Sequence, residues 1–139
     1  MKKVIRVLLI TTFAIAIFIV AVILILFDFT SPLSRSNERI RADMLQLTPI
    51  GTSMDDVIRV IESNEDWTIY QIYNRGYSYS LIRGNPSRGR ECTVIGEKSF
   101  EVHLGGYYGF LWTDVTVFYG FDDNSMLIDV AVLKEKDGL

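Results

Sequence analysis

Residues 7–27, VLLITTFAIAIFIVAVILILF, form an unbroken apolar run with no charge, no Pro and no Gly; only Thr11 and Thr12 are polar. As a helix the run would rise ~31 Å, close to the ~30 Å hydrocarbon core of a bilayer. A helix apolar on every face cannot be hidden by one small domain. The run therefore reads as a single transmembrane helix with the lipid bilayer as its partner. It divides the chain into a cytoplasmic tail (1–6), the helix (7–27), a linker (28–36) and an extracytoplasmic domain (37–139).

A secretory signal would also begin with basic residues such as Lys2 and Lys3. Its apolar region is usually ~7–15 residues long and ends at a small-residue cleavage site. Here the run is longer and is followed by Asp28-Phe29-Thr30-Ser31-Pro32, so an uncleaved anchor is favoured. Lys2, Lys3 and Arg6 lie directly against one end of it, whereas Arg35, Arg39 and Arg41 stand further from the other and are interspersed with acids. That arrangement places the N-terminus in the cytoplasm and the protein in the plasma membrane as a single-pass chain.

Beyond residue 27 the chain carries eleven basic and seventeen acidic residues, a formal net charge of −6. This balance excludes the clustered basic surface that nucleic acid rewards. Cys92 and His103 are each the single residue of their type, which leaves no disulfide framework and no multi-cysteine zinc site; no cofactor is expected.

Two short helices open the domain. Asn37 is placed to cap residues 38–47, where Ile40, Met44 and Leu47 recur at helical spacing. Thr48-Pro49 ends that helix. The second, within 50–64, has Gly51 for a turn, Ser53 as cap, and Asp55 and Asp56 at the positive end of the dipole. Its apolar stripe is Met54, Val57, Ile58 and Ile61, and Asp55 is spaced to pair with Arg59.

Strand-like segments follow at 67–73 and 77–82, separated by Asn74-Arg75-Gly76, and then at 98–104. Residues 84–90 and 105–109 read as loops. The runs 114–121 and 126–134 flank Asp122-Asp123-Asn124-Ser125 as an antiparallel hairpin. The expected fold is α+β: the N-terminal transmembrane helix, then two short helices packed on one face of an antiparallel sheet of about four strands.

Residues 49–57, PIGTSMDDV, resemble the opening of the second helix in SmpA/OmlA (BamE-type) domains, and residues 115–132 resemble their closing hairpin. Similar helix-pair-then-sheet units occur in the β-lactamase-inhibitor-like fold. The resemblance covers about half the chain and rests on structural motifs. It implies a small cell-envelope domain that binds other proteins without catalysis.

No nucleophile has an evident base. Asp55-Asp56 is explained by a helix start and Asp122-Asp123 by a turn, so no catalytic residue is assigned and an enzyme is not expected. The candidate binding residues are instead Tyr70, Tyr73, Tyr77 and Tyr79, with Arg83, Arg88 and Arg90 at the rim. Strand alternation must put some tyrosines on the face away from the helices. They would serve either recognition or mere cross-strand packing. The expected function is a membrane-anchored envelope protein-interaction module, of scaffold or inhibitor type. The alternative is a ligand-sensing or accessory subunit of a membrane enzyme or transporter, which a deep apolar pocket would favour.

Overall fold

The computed structural model describes residues 2–29, 31–78 and 93–137; within the first helix it describes the side chains of Val4 and of residues 9–24. Helix α1 (Lys2–Phe29) leads through a short 3-10 turn (Pro32–Ser34) to α2 (Asn37–Leu47) and α3 (Met54–Glu62). Among the described residues six strands follow: β1 (Thr68–Tyr73), β2 (Tyr77–Ser78), β3 (Val94–Ile95), β4 (Lys98–Tyr108), β5 (Trp112–Phe121) and β6 (Leu127–Lys136).

The expected membrane span is corrected. A helix does occupy the apolar run, but among the described residues no helix is long and apolar enough to cross a membrane. The continuous stretch whose side chains are described covers residues 9–24. Its side chains are exposed all round, Phe13 and Phe18 among them. The rest of the expected architecture, α+β with an antiparallel sheet of four strands beside short helices, is present.

That sheet has the order β1-β4-β5-β6, antiparallel throughout, and β2 and β3 form a separate two-stranded ribbon. Period-two alternation separates its faces. Phe100, Val102 and Leu104 from β4, Val115, Val117, Tyr119 and Phe121 from β5, and Val130 and Val132 from β6 join one core with Ile40 and Met44 of α2 and Val57 and Ile61 of α3. Burying each branched side chain contributes ~1.5–3 kcal/mol. Phe100 stacks between Tyr119 and Phe121, with ring centroids 5.1 and 5.3 Å away.

Local chemistry seats the helices. Ser53 Oγ accepts the Asp56 amide at 3.2 Å and donates to Asp56 Oδ2 at 2.7 Å, so the short Asp side chain closes the cap through the hydroxyl. Asp56, not Asp55, pairs with Arg59 at i, i+3 (2.7 Å), through the carboxylate oxygen that does not meet Ser53. Just before α3, Gly51 and Thr52 exchange backbone hydrogen bonds with Leu127 at 2.8 Å. These bonds pin the helix start to β6. At α2 the cap is Ser36 rather than Asn37. Leu47 turns outward with 52% of its surface exposed, and the stripe continues through buried Thr48, whose hydroxyl donates to the Met44 carbonyl at 2.9 Å.

Released from capping, Asn37 donates through Nδ2 to the Val132 carbonyl (3.2 Å), and Arg41 donates through Nε to the Val130 carbonyl (2.7 Å). Helix α2 thereby covers the β6 edge of the sheet. At the opposite edge β1 pairs only with β4 among the described residues, with a bulge at Tyr70.

The residues expected to form a loop at 105–109 mostly continue a strand. Gly105, at φ +106°, absorbs a bulge after His103, and β4 runs on to Tyr108 before turning into β5. The segment 77–82 does not join the main sheet where it is described: Tyr77 and Ser78 pair with Ile95 and Val94.

Tyr119 is fully buried, and its hydroxyl has no hydrogen-bond partner among the described residues. Burial pushes its pKa up to about 12, against a weaker lowering by the neighbouring Thr48 hydroxyl. The unfolded chain ionises this phenol near 10, so the stabilisation is complete below pH 10 and is lost as pH rises toward 12, by on the order of 2–3 kcal/mol. Tyr119→Phe should abolish that part of the alkaline loss. At neutral pH it should equal the parent or exceed it by about 1 kcal/mol. Tyr73, held above its ordinary value by its hydrogen bond to Glu101, titrates in both proteins and cancels in the comparison. Chemical denaturation at pH 7, 10 and 11.5 measures all of this. Marked destabilisation of the Phe variant at pH 7 would show that the hydroxyl has a partner.

Candidate functional site

The helices cover one face of the sheet, so side chains of opposite parity build the other. On β4 these are Ser99, Glu101 and His103; on β5, Asp114, Phe118 and Gly120; on β6, Asp129, Ala131 and Leu133. Tyr77 packs onto Phe118 (centroids 5.9 Å apart) and joins Ala131, Leu133 and Ile95 in a small second core.

Gly120 makes this seating possible: a Cβ there would stand 2.9 Å from the Tyr77 ring. The Tyr77 hydroxyl donates to Asp129 Oδ2 at 2.8 Å, while Arg41 Nη2 reaches Asp129 Oδ1 at 2.7 Å. One carboxylate thus ties the β2–β3 ribbon on one side of the sheet to α2 on the other.

Between the ribbon and the strands lies a half-open groove of about 520 Å³. Phe118, Leu133, Val94 and Tyr77 supply its apolar lining, and Tyr73, Arg75, Ser99, Glu101 and Glu135 bring polar groups to it. Tyr73 donates to Glu101 Oε1 at 2.6 Å, and the Arg75 guanidinium lies 5.8 Å from the Tyr73 ring centroid. Ser99 Oγ donates to the Arg75 carbonyl (2.7 Å), which fixes the turn that carries the arginine.

Along β4 and β5 the same face continues into a second cluster. Tyr70, 61% exposed, stacks on His103 with centroids 5.4 Å apart. Asp114 accepts the Trp112 indole N–H at 3.0 Å and stands 3.8 Å from His103 Nε2.

Of the expected site residues, the structure brings Tyr70, Tyr73 and Tyr77 to the helix-free face, in three different roles. Tyr70 is exposed, Tyr73 lines the groove, and Tyr77 is buried as the ribbon's anchor. Tyr79, Arg83, Arg88, Arg90 and Cys92 lie outside the described residues. Arg75, Glu101, Phe118, Leu133 and Glu135 were not singled out from sequence. They are separated along the chain, and only strand register assembles them.

Neither acidic pair forms part of the groove. Asp56 is engaged in its helix cap, and Asp122 Oδ1 accepts the Met126 amide at 2.8 Å within the β5–β6 turn. Among the described residues no three His, Cys, Asp or Glu side chains group closely enough to hold a metal ion. No protein-family model, curated protein or solved structure matches the chain.

Gly120→Val should unseat Tyr77, open the ribbon and erase the groove, while the helix-side core keeps the protein folded. Amide exchange at Tyr77, Val94 and Ile95 should accelerate at least about tenfold, with β5 and β6 still protected. Unchanged protection in the ribbon would mean that Tyr77 is not its anchor.

Proposed function

We propose that this chain is a non-catalytic protein-interaction module working through the helix-free face of its sheet. An extended partner segment lies across the groove between the β2–β3 ribbon and strands β4, β5 and β6, with exposed Tyr70 beside it. The groove carries this reading: it combines an apolar floor with convergent polar side chains on a face that no described helix covers. Tyr and Trp offer large, rigid contact area with a polar tip, a combination enriched where proteins meet. The resemblance to SmpA/OmlA domains supports a scaffold or inhibitor role in a cell envelope.

A second reading, a sensor of a small apolar ligand, is favoured by the groove volume, which falls in the ~300–1,000 Å³ range of small-molecule sites.

Peptides selected for binding to the full chain should lose about thirtyfold or more in affinity on Leu133→Ser or Tyr70→Ala, a loss of ~2 kcal/mol typical of interface anchors. Tyr70→Ala should melt within about 1 °C of the parent, since removing a largely exposed side chain changes stability little. Selected binders indifferent to both substitutions would place the working surface elsewhere. Binding of small apolar compounds to the groove, with no peptide selected at all, would favour the sensor.

A further inference from the structure

The groove has an uneven charge pattern. Among the described residues, Glu101 and Glu135 line it against one guanidinium, that of Arg75, which lies over Tyr73. Asp43, Asp56 and Asp129 elsewhere each have an arginine within ion-pair distance, but Glu101 and Glu135 have no such partner among the described residues. Among the described residues Glu101 accepts the Tyr73 hydroxyl. The two carboxylates belong to β4 and β6 with β5 between them, which sets their strands ~9–10 Å apart. Their partners on β5, Phe118 and Asp114, lie four residues apart, so the two positions are also offset by ~13 Å along the strands, too far for one compact cation to contact both. The apolar surface between them, Phe118 and Leu133, suits aliphatic stems ending in charged heads. The Tyr73 ring already faces a guanidinium from its own chain, so a cation beside this aromatic wall is chemically compatible.

We propose that the groove selects a basic segment: an extended stretch of a partner protein whose Lys or Arg stems lie on Phe118 and Leu133 and whose heads meet Glu101 and Glu135. This rests on the groove's being the working surface and adds the chemistry of what it takes. The formal charge of the whole chain, −3, acts in the same sense at longer range.

The test uses the full chain in a nonionic detergent, which keeps the exposed apolar α1 dispersed, and three fluorescent hexapeptides alternating Leu with Lys, Ser or Glu. The Lys peptide should bind tightest, and its affinity should fall with added salt. Glu101→Gln combined with Glu135→Gln should weaken it about fivefold to tenfold, toward the Ser peptide, as expected for two partly exposed ion pairs. The amide oxygen that Glu101→Gln leaves in place can still accept from Tyr73, so an unchanged melting curve is expected and separates lost recognition from lost fold. If Leu133→Ser weakens all three peptides alike and the double Gln variant changes nothing, the groove is the binding surface but the basic preference is wrong. If the Glu peptide binds best, the preference is reversed and the inference fails. If no peptide binds, both the inference and the groove reading fall.

Discussion

Strand β5 has paired neighbours on both sides and opposed demands on its two faces. Its residues Val115, Val117, Tyr119 and Phe121 are fully buried toward the helices, while Phe118 and Gly120 between them serve the opposite face. A one-residue slip would exchange the two sets, sending Tyr119 and Phe121 toward solvent and the Gly120 notch into the core. The helix-side core and the groove therefore depend on the same register. The β5–β6 turn, where Asp122 accepts the Met126 amide and Ser125 adopts φ +62°, holds that register at one end.

Much of this was legible where the determinants are close in sequence. The Gly51-to-Asp56 opening of α3 and the polar four-residue turn between β5 and β6 are decided within a few residues, and both appear as expected. Expectation failed where a distant partner decides. The segment 77–82, expected in the same sheet as β1, does not join it where it is described: β1 pairs with residues 99–103, and Tyr77 turns away to pair with β3. Gly105 and Gly106 resemble a turn in isolation, yet one accommodates a bulge and the other lies beneath the Trp112 ring. The apolar run over 7–27 was legible as a helix but does not yield a span among the described residues.

The site was legible only as a surplus of aromatic residues. Composition could say that tyrosines would face away from the helices, but not that Tyr70 is exposed while Tyr77 is buried against Gly120. The rim charge expected from sequence was basic, through Arg83, Arg88 and Arg90. Those arginines lie outside the described residues, and the groove as described gathers Glu101 and Glu135 from strands separated by a third. No linear motif joins two such residues; their proximity is a product of sheet order.

The two edges of the sheet have different growth properties. Asn37 and Arg41 occupy carbonyls of β6 that an incoming strand would need, whereas β1 has no strand on its outer side among the described residues. Among the described residues sheet extension thus has a direction, with one terminated end and one open end. Two copies meeting β1 to β1 would leave a capped β6 at each extremity, and the assembly would stop at a closed pair. Fibrils need two competent edges per subunit. By capping one edge, α2 turns an open-ended aggregation hazard into a finite one.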